Sequence, residues 1–194
     1  MLTPEMQVRA KPILFNTEMV EAILKGRKTQ TRRIAGRRLH WGVGDVLWVR
    51  ETWCFMPCIE CAAEEAGLCA VTPTLHEDRD SISSGCYLYR AGSTDTAKKQ
   101  HYWNPSIHMP RTAARIFLEI IDVRSERLQD ITPADLWEEG VPIELLETPP
   151  GVLDAPRAAF RNLWDSTLTK KQLSTCGWDA NPLVDVYTFK VIQK

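Results

Sequence analysis

KPILFNTEMVEAILKGRKTQTRR, residues 11–33, holds the start of a strand, a complete helix and a dense basic run in one stretch. Residues 12–15 (PILF) look like a short strand. Thr17 suits a helix N-cap, Glu18 favours the first turn, and Met19, Ala22 and Ile23 share a face. Gly26 supplies the stop, so the pattern predicts a helix from Thr17 to Gly26. GRKTQTRR then leaves that helix as loop or irregular extended chain. Beyond it, Gly44-Asp45 is a turn signal before a strand at Val46–Arg50. Residues 54–105 are the least regular part and read as an insertion, with one short strand at Cys86–Arg90. Strand composition returns at Ile116, where Ile116, Leu118 and Ile120 alternate with Phe117, Glu119 and Ile121. Thr132 caps a second helix, Pro133 fits its first position, and Gly140 ends it. A third helix runs from Asp154 to about Leu168, with Phe160, Leu163 and Trp164 on one face. Leu183–Ile192 alternates and reads as a closing strand. Five or six strands and about three helices without a βαβ rhythm predict an α+β fold, a small mixed barrel with helices on its rim. The whole of 1–194 is then one domain, interrupted at about 54–105.

Composition narrows the function classes. The chain has 194 residues, 44% hydrophobic and 25% charged, as in ordinary globular proteins. No apolar run approaches the ~20 residues that cross a bilayer, so no membrane partner is expected. The N-terminus does not read as a signal peptide, which points to the cytoplasm. The net charge is −1, which excludes a globally basic nucleic-acid binder but not a local patch. Between Ala22 and Leu39 the chain carries Lys25, Arg27, Lys28, Arg32, Arg33, Arg37 and Arg38 and no acid. From Glu119 to Asp154 acids outnumber bases. If residues 135–154 of that stretch fold over the basic run, both blocks are satisfied structurally and a phosphate-bearing partner is less favoured.

Gly26–Arg33 is the strongest chemical signal. It places one tunable amine, two hydroxyls and three guanidinium groups together. A lysine near a threonine hydroxyl acts as its base when burial or neighbouring cations lower its pKa. A solvated basic loop is the plainer alternative.

The ordered motifs KPILF…AILKGRKTQTRR, GDVLWVRETW, YR, WNPSIHMPRTAARI, ERLQDIT…EEGV, F…LWDS and NPLVDVYTFKVI resemble the ASCH-domain family in its prophage-type form. That resemblance spans Lys11–Ile192, with 54–86 and 141–154 poorly covered. It implies a PUA-like barrel in a bacterial or phage-infected cell, and a partner that is RNA or a modified nucleoside. The small ASCH amidohydrolases acting on N4-acetylcytidine share the run GRKT-x-T-x-R. Carried over, their lysine falls on Lys28, their threonine on Thr31, the motif arginine on Arg33, and their helix glutamate on Glu139, with Glu138 one register away. The resemblance implies Thr31 as nucleophile or water holder and Lys28 as base. Glu139 would orient Lys28 or protonate the leaving nitrogen, and Arg33 would hold a carbonyl or phosphate. This chain is about twice the length of those enzymes. A non-catalytic RNA-binding module, a ribonuclease using the same cleft, and a phage accessory protein that binds another protein are the alternatives. The chemistry requires no cofactor.

Arg27 and Arg32 join the candidate binding residues on the basic run. Trp103, His108 and Arg111, in the run Trp103–Arg111, are candidates to stack on a base or hold a phosphate. Arg50 and Trp53, beside Glu51, either line a pocket or belong to a strand end. Cys58-x-x-Cys61 has metal-ligand spacing, and Cys54, Cys69 or Cys86 could complete a structural zinc site of four thiolates. His76 or His101 could stand in for one thiolate. Buried or exposed free thiols are the alternative.

Overall fold

The computed structural model describes residues 9–36, 41–57, 74–78, 81–100, 102–141 and 155–192. In chain order its elements are β1 (Lys11–Leu14), α1 (Thr17–Leu24), β2 (Gln30–Ile34), β3 (Val46–Arg50), β4 (Trp53–Pro57), β5 (Thr74–Asp78), β6 (Ser81–Tyr89), α2 (Asp95–Gln100), β7 (Phe117–Arg127), α3 (Pro133–Glu138), α4 (Ala155–Ser166), α5 (Lys170–Cys176) and β8 (Leu183–Ile192). The chain divides into two compact units. One comprises Met1–Pro12, Ala22–Trp48 and Ile116–Lys194; the other comprises Ile13–Glu21 and Val49–Arg115.

The first unit is organised on a sheet ordered β1-β3-β7-β8-β2. The expected small mixed barrel is not closed: among the described residues no pairing joins β2 back to β1. The reason is visible at the start of β2. The Thr29 N–H donates to Glu138 O at the end of α3, not to a further strand. The basic run is a second correction. Its last residues are not loop but strand β2, paired antiparallel with β8 so that Gln30 faces Thr188, Thr31 faces Tyr187, Arg32 faces Val186 and Arg33 faces Asp185. Polar side chains occupy a strand in the interior here because carboxylates meet them, as the site geometry shows below.

Strand β7 alternates as expected only up to Ile120. Ile120 pairs with Phe189 and the next pair is Asp122 with Thr188, so one extra residue bulges out. Period-two alternation makes the consequence definite. Before the bulge, even-numbered residues of β7 share the face of Phe189. After it, Asp122, Arg124 and Glu126 share the face of Thr188, Val186 and Val184. Because Arg32 also pairs with Val186, the bulge sets Arg124 and Glu126 on the same sheet face as Arg32.

Helices α3 and α4 cover that face. Leu136 and Val141 join Phe160, Trp164 and Trp178 over Val184 and Val186, with Leu128 and Ile131 completing the cluster. The Phe160 and Trp178 rings meet edge to face at 6.1 Å. Thr132 caps α3 as the sequence indicates. Its hydroxyl accepts from the Asp135 N–H at 3.2 Å and donates to Asp135 Oδ2 at 2.6 Å. In α1 the cap is Asn16, not Thr17: Asn16 Oδ1 accepts from the Met19 N–H at 2.8 Å. Helices α2 and α5 were not expected, although α5 carries its own punctuation, a Thr169–Gln172 capping box at its start and Gly177 at its end.

The second unit holds a three-stranded antiparallel sheet, β4-β6-β5, drawn from the region read as an insertion. Trp53, Met109 and Ala113 form its small core, with Phe55, Tyr87 and Tyr89 packed against them. Glu51 is buried and held by two hydrogen bonds from Arg115, at 2.9 and 2.8 Å. The Arg115 guanidinium stacks 4.0 Å over the Tyr89 ring.

Candidate active site

The residues before β2 meet the end of α3 in antiparallel order. Arg27 Nη1 donates to Gly140 O at 3.0 Å, Lys28 Nζ to Glu139 O at 2.9 Å, and the Thr29 N–H to Glu138 O at 2.8 Å. Helix ends leave such carbonyls without partners, and cationic side chains suit them. Part of the acidic stretch thus does fold onto the basic run.

Lys28 and Glu139 are both buried, 1% and 5% exposed. Lys28 Nζ donates to Glu139 Oε2 at 2.7 Å. The other oxygen of Glu139 accepts from Arg32 Nη1 at 3.0 Å. Arg32 is also interior. Its Nη1 donates to Gln30 Oε1 at 2.7 Å, and its Nε and Nη2 reach Glu126 Oε1 at 3.1 and 2.6 Å. Arg124 closes the chain of charges, donating to Glu126 Oε2 at 3.1 Å and to Asp135 Oδ1 at 2.6 Å. Lys28, Arg32 and Arg124 therefore alternate with Glu139, Glu126 and Asp135. A buried charge is tolerated only when it is paired and hydrogen-bonded. Glu138 adds a further link, accepting from Gln30 Nε2 at 2.9 Å.

This setting decides the state of the amine. Burial lowers the Lys28 pKa most strongly, Glu139 pulls it back up, and the Arg33 and Arg32 charges lower it further. The net direction is down, so the neutral amine that a base requires is more accessible than in a free lysine. Both oxygens of Glu139 accept from cations. Of its two expected roles, this geometry suits orienting Lys28.

Thr31 is on the opposite face of β2 from Arg32, with Arg33, Tyr187 and Asp185. It is 1% exposed, and its Oγ1 accepts from Arg33 Nη1 at 3.1 Å. A cationic donor on that oxygen stabilises negative charge developing there. Arg33 itself is lowered by burial, with Glu139 and Tyr187 opposing, so its charge is felt at Lys28, Glu139 and Thr31 together. Trp41 lies against Tyr187, ring centroids 5.0 Å apart and nearly perpendicular.

The acid side of the network carries a stability prediction. Burial alone raises the Asp135 carboxyl, but the Thr132 hydrogen bonds and the Arg32 and Arg124 charges outweigh it and hold the group at about 2. A folded carboxyl more acidic than its ordinary 3.8 contributes stability above that pH and loses it as pH falls towards 2. That contribution is at most about 2 kcal/mol. Asp135→Asn is expected to flatten this part of the acid limb when urea unfolding is followed from about pH 5 to pH 2. An acid limb as steep as that of the unaltered protein would contradict it.

The structure brings Lys28 and Glu139 into contact, and sets Thr31 with Arg33 on the face of β2 opposite Arg32, where the Arg33 charge acts on both Lys28 and Glu139. Arg27 caps α3. Arg32 faces carboxylates in the interior where an RNA-binding residue faces solvent. The remaining candidates belong to the second unit. Arg50 donates to Ile107 O. Trp53 is a core residue whose Nε1 meets no acceptor among the described residues. Trp103 Nε1 donates to Lys98 O at 3.0 Å. His108 is exposed at the end of one short turn and Arg111 opens the next, half-buried. A cleft of about 350 Å³ in this unit is lined by Tyr87, Tyr89, Gly92, Ser93 and Arg115, none of them singled out from the sequence.

Of the proposed zinc ligands, Cys58, Cys61 and Cys69 lie outside the described residues, as do His101 and the side chain of His76. Cys54 and Cys86 are buried in the paired strands β4 and β6, and burial pushes the Cys54 thiol up. Among the described residues no group of three or more His, Cys, Asp or Glu is arranged to hold a metal ion. No described helix is long and apolar enough to cross a membrane.

Sequence reasoning passed over Arg124, Glu126, Asp135 and Trp41. Asp135 had a usable signal, since Thr132-x-x-Asp135 has capping-box spacing. Arg124 and Glu126 had none, because the bulge that turns them inward leaves no mark in the alternation.

No protein-family model matches the chain, and no curated protein matches it. Among solved structures it is similar to an ASCH domain from Lactobacillus crispatus JV V101, at 11% identity over 99% of this chain and 87% of that one, with a TM-score of 0.44. At that identity and score the likeness neither places this chain in a family nor gives it an activity.

Proposed function

We propose that the chain is a PUA-like protein of ASCH type whose Lys28–Glu139 centre hydrolyses the acetyl amide of N4-acetylcytidine. The resemblance of the run GRKTQTRR to the small amidohydrolases supplies the substrate. The observation that carries the chemistry is the buried amine of Lys28, 2.7 Å from Glu139 Oε2 and lowered by its burial.

In this reading Thr31 Oγ, or a water that it holds, attacks the acetyl carbonyl carbon. Neutral Lys28 takes the proton from the attacking hydroxyl and returns it to the exocyclic nitrogen as the C–N bond breaks. Cytidine leaves, and water releases acetate where Thr31 is the nucleophile. Arg33 steadies charge at the attacking oxygen, and Glu139 stabilises the lysine once it is protonated. The enclosure of Lys28, Thr31 and Arg32 favours a small ligand over an open groove tracking phosphates, which needs exposed cations.

The test is release of cytidine from N4-acetylcytidine by the purified protein, followed by liquid chromatography. Lys28→Ala and Thr31→Ala are each expected to reduce kcat at least a hundredfold, the lower range for loss of a general base or nucleophile. Turnover should rise with pH and level off below the ordinary lysine value of 10.5, since the deprotonated amine is the active form. A folded protein without turnover would sink the assignment. Shortened RNA in the same preparation would replace it with a ribonuclease.

A further inference from the structure

Trp41 is a buried side chain with an unused donor. It is 4% exposed, and its Nε1–H meets no acceptor among the described residues. Native interiors seldom leave such a donor dry and unpaired, and where they do the group commonly awaits a water or a ligand. The indole is also fixed in place. Its ring meets Tyr187 edge to face at 5.0 Å, and its backbone N–H bonds the Tyr187 hydroxyl. That hydroxyl in turn bonds Asp185, whose Oδ1 accepts from Ser125 Oγ at 2.7 Å. Tyr187 is the cross-strand partner of Thr31, and directly opposed residues of an antiparallel pair project to one side of the sheet.

The side of β2 that holds Thr31 and Arg33 therefore also holds a clamped aromatic pair with one donor in reserve. We propose that Trp41 is a specificity-determining residue of this site, its indole N–H donating to a carbonyl or ring-nitrogen acceptor of a planar ligand. This rests on the reading of the site as a modified-nucleoside pocket, and it adds the group that selects the heterocycle. Lys28, Thr31 and Glu139 act on the amide alone and cannot tell one acylated amine from another. A site containing a donor that only the right ring satisfies discriminates strongly, because an analogue without the acceptor leaves the donor unpaired.

Trp41→Phe keeps an aromatic ring beside Tyr187 and removes the donor together with the five-membered ring that carries it. With N4-acetylcytidine it is expected to raise KM about tenfold while kcat stays within about twofold. In protein carrying ¹⁵N-labelled tryptophan, the Trp41 indole resonance, identified by its loss in Trp41→Phe, is expected to move downfield as N4-acetylcytidine or cytidine is added. An indole resonance unmoved by either nucleoside, or a Trp41→Phe KM equal to that of the unaltered protein, overturns the inference, whether or not hydrolysis occurs. Hydrolysis with an unmoved indole leaves the amidohydrolase standing without Trp41. A moving indole without hydrolysis keeps the recognition role and removes the enzyme. Far-UV circular dichroism of Trp41→Phe separates a lost donor from a lost fold.

Discussion

Glu139→Gln is expected to destabilise the protein by about 3–5 kcal/mol, the usual cost of removing one partner from a buried ion pair. The substitution keeps the size and shape of the side chain and deletes only the charge. Lys28 Nζ and Arg32 Nη1, at 2.7 and 3.0 Å from the two carboxylate oxygens, are then left as buried cations facing an amide. Only one of the amide's two terminal atoms can accept, so at least one of those donors loses its bond. Lys28→Met is expected to cost much less, because Glu139 keeps Arg32 and the flexible methionine fills the space of the lysine stem. The double variant should be less destabilised than the sum of the two, with a coupling of about 0.5–3 kcal/mol, since removing Lys28 first removes one of the cations that Glu139 neutralises. Urea unfolding of the three variants measures all of this. A Glu139→Gln protein within about 0.5 kcal/mol of the unaltered one would show that the network is wet or loosely paired, and the depressed lysine would lose its physical basis.

Such a network explains which parts of the molecule could be read from the chain. Elements with local punctuation were legible. Strand β8 coincides with the expected Leu183–Ile192, and α3 has the Thr132 cap, the Pro133 start and the Gly140 stop that its residues announce. Strand β2 was not legible because Gln30, Thr31, Arg32 and Arg33 have no hydrophobic period. They occupy a strand only because Glu126, Glu138 and Glu139, about a hundred positions away in the chain, arrive to neutralise them. Local propensity loses to tertiary pairing at such a place, and disagreement of this kind is commonest where a protein keeps its chemistry. The same residues separate the two meanings of a basic run. By charge count alone, Arg27, Lys28, Arg32 and Arg33 are an invitation to phosphate. By geometry, two of them cap a helix and one is enclosed by carboxylates, so their charge is engaged inside the protein. What remains for a ligand is reactivity, not attraction: one lysine amine brought towards neutrality and one threonine oxygen facing a guanidinium.

Gly140→Ala tests whether that reactivity depends on backbone placement. Gly140 has φ +90°, a conformation that residues with a Cβ rarely adopt. A Cβ built there would lie 2.9 Å from the Cβ of Ala22 and 3.1 Å from the Cβ of Lys28. Neither neighbour is the loose end of a side chain, so helix α1, the Lys28 backbone or the end of α3 must shift. The conformational strain is worth about 1–2 kcal/mol and the overpacking about 1–3 kcal/mol more, for a total of about 2–5 kcal/mol. The consequence for the site is sharper than for a core position of equal cost. Gly140 O accepts from Arg27, and the preceding Glu139 holds Lys28 by both its carbonyl and its carboxylate. Moving this backbone by a few tenths of an ångström therefore loosens the lysine directly. Activity under conditions where the variant remains folded is expected to fall at least tenfold, with the pH at which turnover levels off moving as Lys28 and Glu139 separate. Gly140→Ala protein with the stability and pH profile of the unaltered chain would mean that the end of α3 is free to adjust, and that Lys28 is placed by β2 alone.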